Sequence, residues 1–106
     1  MIVVTTSDLP RYKITEVHGS ARGITVRSRS VLGNISGQIQ SLFGGNLSVY
    51  TNLAETARQE AYDILVRHAA DMDANAIIAM RYDANDTMDG MTEVLAYGTA
   101  VTATKA

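Results

Sequence analysis

The chain contains no cysteine and no tryptophan, one proline and one phenylalanine. Without cysteine there is no disulfide framework and no thiolate metal site. That absence fits a reducing compartment, and a cytoplasmic location is expected. No apolar run approaches the roughly 20 residues needed to cross a bilayer, so no membrane partner is expected either. Met1-Ile2-Val3-Val4 passes at once into Thr5-Thr6-Ser7-Asp8, which is not the pattern of a secretory leader. Arg22, Arg27 and Arg29 are not interleaved with aromatics and the chain is acidic overall, which argues against nucleic acid as a partner.

What is present suits one globular domain spanning residues 1–106. The length allows one unit, and 46% of residues are hydrophobic, too many for a disordered chain. A domain of this size buries only about two-thirds of its unfolded surface, so a subunit interface would add to a modest core. The net charge of −2 is unevenly spread: residues 1–53 sum to +3 and residues 54–106 to −5. Such polarity can steer copies or a charged partner together, although solvated faces account for it more simply.

Pattern and turn signals place the elements. Ile2-Val3-Val4 is β-branched and favours a short strand before Pro10. Residues 12–27 read as one long strand or a bent pair, with Ile14, Glu16 and His18 on one side and Thr15, Val17, Gly19, Ala21 and Gly23 on the other. Glycines inside a strand signal a bulge or a close backbone approach. Val31, Ile35, Ile39, Leu42 and Phe43 form a helical stripe over 30–43, ended by Gly44-Gly45. A longer helix starts between Ser48 and Asn52 and ends near Met72. Its predicted buried arc holds Ala54, Ala57, Ala61, Ile64, Leu65, His68 and Met72, and Asn52 with Glu55 resembles a capping box. Ala76–Met80 is a buried strand, Asp83–Gly90 a polar connection ending in the turn pair Asp89-Gly90, and 91–104 a last strand. Val94, Ala96, Gly98 and Ala100 lie on one of its faces; Leu95, Tyr97, Thr99 and Val101 lie on the other. The expected fold is α+β: a small mixed or antiparallel sheet packed by one long and one short helix.

Several of these segments together resemble the YbjQ-like proteins, a bacterial family labelled heavy-metal-binding and otherwise uncharacterised. The matching pieces are Glu16-x-His18-Gly19, Gly44-Gly45 followed by Tyr50, Ala57-Arg58-x-x-Ala61-Tyr62, Ala74-Asn75-Ala76-Ile77-Ile78 and Tyr97-Gly98-Thr99-Ala100-Val101. They run nearly end to end, and their order is more specific than any one piece. The resemblance implies an α+β domain assembled with itself as a ring-shaped homopentamer. Two departures stand out. Some relatives carry cysteine near the position of His18, where soft metals would prefer it. The family usually has glycine where this chain has Asp73, a residue that tolerates left-handed backbone better than most.

Few residues suggest chemistry. His18 and Glu16 could both reach one divalent metal ion, since imidazole and carboxylate suit zinc-like cations. Two donors do not make a site, and a polar strand face is the simpler reading. His68, in the apolar arc, reads as a core histidine bonded to backbone. Gly44, Gly45 and Ser48 precede a helix and could hold an anion, but the phosphate-loop lysine is missing and an ordinary turn is favoured. Counted as a calcium loop from Asp83, the required glycine falls on Met88 and the closing glutamate on Val94, so that motif fails. No nucleophile sits in a recognisable elbow, and no histidine–carboxylate–serine set has useful spacing. The expected function is a non-enzymatic homo-oligomeric domain. A metal-binding module is the alternative, and an enzyme or ligand binder with sites at subunit junctions is the second alternative.

Overall fold

The computed structural model describes residues 1–28, 48–86 and 91–106. Its elements are β1 (Ile2–Val3), β2 (Tyr12–Ser28), helix α1 (Ser48–Asp71), β3 (Ala76–Asp86) and β4 (Met91–Lys105). The expected helix over 30–43, the Gly44-Gly45 turn and the Asp89-Gly90 turn lie outside the described residues. The strands form one mixed sheet in the order β1-β3-β4-β2. β1 pairs with β3 in parallel, and β4 runs antiparallel to both β3 and β2. The α+β expectation with a long helix on a mixed sheet therefore holds.

β3 is longer than its apolar start suggested. Asp83–Asp86, read as part of a polar connection, continue the strand opposite Leu95 to Thr92. The hydrogen-bond ladder to β4 outweighs the poor strand propensity of Asp and Asn there. Strand length dominates the shape: at about 3.3 Å per residue, the 17 residues of β2 account for the longest dimension of 54 Å.

The sheet is buried on both faces at one end. Alternation along β4 sends Val94, Ala96 and Ala100 into a cluster with Ala21, Ala57, Ala61, Leu65, Ala69, Ile77 and Met80. Val101 and Ala103 join a second cluster on the opposite face with Ala76 and Leu9, flanked by Ile2, Val4, Tyr12, Ile14 and Ile78. The segment after β1 closes that second cluster. Val4 N–H donates to Ile77 O at 2.9 Å, Met80 N–H to Val4 O at 3.0 Å and Ala79 N–H to Thr6 O at 2.7 Å. Ala79 sits at φ 54°, within a register shift between Ile78 and Arg81. Arg81 ties the segment down by donating to Thr5 O at 2.8 Å and Met80 O at 2.9 Å.

α1 rests on the sheet through a column of three alanines and one leucine. Ala57, Ala61, Leu65 and Ala69 recur every fourth position and are buried, which is one stripe of a helix. Ile64 and His68, expected in the buried arc, are exposed. The arc is turned toward Tyr62, Val66 and Met72, which pack against the core. The reason is Gly23, since a Cβ there would lie 2.5 Å from Leu65 N and well inside contact distance of Ala61 O. Helix backbone lies directly on strand backbone, and only small side chains fit beside it. The helix also begins at Ser48, so Asn52 is not its cap but an interior residue whose carbonyl accepts from Thr56 Oγ1 at 2.9 Å.

Gly23→Ala forces the helix off the sheet. It is expected to destabilise the fold by about 3 kcal/mol or more, at or above the upper end of the usual overpacking range. Denaturant unfolding checks this, and an unchanged midpoint would show that the helix has room.

Candidate functional site

The candidate residues Glu16 and His18 sit where β2 is least regular. Pairing with β4 shifts register between Ile14 and Glu16 and again between Val17 and Gly19. Thr15 and His18 are thus the extra residues of two bulges, features that bend a strand and re-aim its side chains. Gly19 supplies the left-handed backbone for the second, at φ 116°.

The bulges bring His18 against the other end of the chain. Its Nε2 lies 2.7 Å from Thr102 Oγ1, and its Nδ1 lies 4.0 Å from Glu16 Oε1. The His18 side chain is 14% exposed and that of Glu16 67%. Thr102 Oγ1 also reaches Asp73 O at 3.5 Å, in the turn that ends α1. If the hydroxyl donates its proton to Asp73 O, then Nε2–H donates to Thr102, and Nδ1 keeps the lone pair on the side facing the carboxylate. Asp73 holds φ 65°, a left-handed geometry that aspartate tolerates better than most residues. Next to it, Asn75 acts as a short strand. Its Oδ1 accepts from Ala103 N–H at 2.8 Å, and its Nδ2 donates to Ala103 O at 2.9 Å.

The structure places His18 Nδ1 4.0 Å from Glu16 Oε1 and its Nε2 against Thr102. That partner is 84 residues away in sequence, and no spacing rule could have found it. A carboxylate, an imidazole and a hydroxyl now stand in a row. Among the described residues no group of three or more His, Asp or Glu could hold a metal ion. One chain thus supplies two donors, and one imidazole nitrogen is already engaged. With no thiolate, this pair alone does not fit a heavy-metal site, which takes three or four protein ligands.

His68 does not behave as a core histidine. It is exposed and stands at the outer edge of β2, where its Nδ1 accepts from Arg22 N–H at 3.0 Å and lies 3.2 Å from Arg22 O. It occupies backbone groups that β2, an edge strand, would otherwise present to solvent. Arg27 is tied to Glu60 of α1 by an ion pair. Of the anion-binding candidates, Gly44 and Gly45 lie outside the described residues, and Ser48 is the first residue of α1. Tyr82, on exposed β3 surface, has its phenol pushed above its ordinary range by partial burial, reinforced by Tyr62 and Glu55. No helix is long and apolar enough to cross a membrane among the described residues.

These features describe an α+β protein with a bulged polar corner and, among the described residues, a sheet edge at β2 that no further strand covers. Comparison with known proteins gives the family. A family model described as "Putative heavy-metal-binding" matches residues 1–104. A UPF0145 protein of Burkholderia thailandensis is 53% identical over 105 residues, covering 99% of this chain and 95% of that protein. A UPF0145 protein of Solibacter usitatus is 50% identical over 99 residues, covering 93% and 88%. The chain belongs to this YbjQ-like family, which has no established activity. A crystal structure of a protein of unknown function from Pediococcus pentosaceus, assigned to the DUF74 family, shares the fold. Its TM-score is 0.58 at 18% identity, over 96% of both chains.

His68→Ala frees the Arg22 amide. The expected cost is about 0.5–1.5 kcal/mol, that of one net hydrogen bond, with faster amide exchange at Arg22 than at its neighbours. Unchanged protection of that amide would show that His68 is not its partner in solution.

Proposed function

We propose that this chain works as a non-enzymatic, self-assembling domain, a homo-oligomer whose ring of five subunits is the state its family resemblance implies. The observation that supports this is the placement of exposed apolar side chains. Val17, Ile24 and Val26 are 65%, 44% and 51% exposed, and all three belong to the edge strand β2. An exposed apolar edge strand is a liability that a monomer would blunt, and a second copy would cover it. The elongated shape points the same way. The radius of gyration is 17.1 Å, against about 13 Å for a compact chain of this length.

Native mass spectrometry of untagged protein tests the reading. The expected species has a mass near five times 11.4 kDa. A monomer persisting at high concentration would overturn it.

A second reading, a metal-binding module, is supported by the family's description and by the Glu16–His18 pair. It needs further donors from neighbouring copies. His18→Ala is then expected to abolish metal bound by the purified protein while leaving the assembly intact. Equal metal content in variant and parent, measured by elemental analysis, would reject His18 as a ligand.

A further inference from the structure

We propose that His68 is a proton-operated cap on the edge of β2. When neutral it closes the Arg22 N–H and leaves the Arg22 carbonyl open; when protonated it does the reverse. Arg22 turns its main-chain N–H and C=O toward the outer side of β2, where a single atom of α1 meets both. His68 Nδ1 lies 3.0 Å from Arg22 N and 3.2 Å from Arg22 O. A ring nitrogen is a donor or an acceptor, never both at once. With a lone pair, Nδ1 accepts from the N–H and meets the carbonyl oxygen with like polarity. With a proton, it donates to the carbonyl and meets the N–H with like polarity. The shorter contact is the one to the N–H, which sets the proton of the neutral ring on Nε2. The imidazolium carries a proton on both nitrogens, so charging His68 leaves only the second arrangement.

The surroundings of His68 suit this exchange. The seat of Gly23 against Ala61 and Leu65 holds the helix in place, so the ring stays at the edge whichever bond it makes. The residue is exposed, and water can deliver the proton. Its ionisable neighbours are Arg67 and Asp71 on α1, Asp73 in the turn that follows, and Arg22 and His18 on β2, with the Arg27–Glu60 pair further along. Among the described residues none of them forms an ion pair with His68. β4 adds no titratable side chain on this face, where Val94, Ala96, Gly98, Ala100 and Thr102 alternate with the other face. The consequence falls on the strand edge. By the alternation of an antiparallel ladder, Ile24 and Val26 direct their N–H and C=O groups the same way as Arg22. Among the described residues no further strand covers that side. An incoming strand pairs along such an edge only as far as its donors and acceptors are free. His68 therefore stops the pairable stretch at Ile24, and its proton decides whether the group left over at Arg22 is an acceptor or a donor.

An NMR titration of the full, isotope-labelled chain tests this across the range in which imidazoles titrate, about pH 5 to 8. At the upper end the His68 ring is expected to show an unprotonated Nδ1. As the pH falls, the Arg22 amide proton moves toward the position of an unbonded N–H. The Arg22 carbonyl carbon moves toward that of a bonded C=O, and both share the midpoint of the His68 ring. Protection of the Arg22 amide, corrected for the intrinsic effect of pH on exchange, falls about five- to tenfold, the equivalent of one net hydrogen bond. In His68→Gln, which does not titrate, both Arg22 signals hold still over the same range. A neutral ring with its proton on Nδ1 would overturn the proposal, as would an Arg22 amide that stays put while His68 titrates. Arg22 signals that move with the same midpoint in His68→Gln would also overturn it, because another group would then be the cause.

Discussion

The contact between Gly23 and the backbone of α1 at Ala61 and Leu65 governs the helix-facing half of this protein. A strand and a helix can touch main chain to main chain only where both lack side-chain bulk. β2 provides Ala21 and Gly23, and α1 provides the alanine column. The close seat leaves little apolar volume between the layers, so Leu65 and Ile77 are the largest side chains buried completely there. It also fixes the helix's rotation, which swings His68 to the strand edge and Glu60 within reach of Arg27. The edge cap and the ion pair both follow from where the glycine sits.

The histidines serve as fasteners of β2, His68 from the helix and His18 toward the neighbouring strand β4. His68 holds the Arg22 main chain, and His18 reaches Thr102, whose hydroxyl also approaches the turn closing α1. A family description that speaks of metal directs attention to imidazoles. In this chain the described geometry gives each one a protein partner. The face of His18 toward Glu16 is the part still open to chemistry.

Much of the fold was legible in the sequence because alternation is simple along β4. Val94, Ala96, Gly98 and Ala100 were read as one face and are buried together. The helix was legible in extent but not in rotation. Periodicity places Ile64 and His68 near Ala61, and only the Gly23 contact, from a distant segment, decides which flank turns inward. The end of β3 was not legible, because Asp and Asn read as loop until β4 is there to pair with them. Of the candidate site, the spacing of Glu16 and His18 suggested that the two lie close, and they do. Thr102 was not legible, since the two bulges that aim His18 at it leave no local signature beyond Gly19.

The pairing of β2 with β4 joins one end of the chain to the other, with 87 residues separating Thr15 from the Thr102 carbonyl it bonds. β4 also lies between β2 and β3, so the sheet lacks its middle until β4 has been made. During synthesis β2 is therefore a long, bare strand with no partner, and the closure of so wide a loop must precede most native contacts. Proteins dominated by such distant pairings fold slowly and expose strand edges while they do. This protein's exposure to chaperones and to wrong pairing is greatest before its last strand emerges.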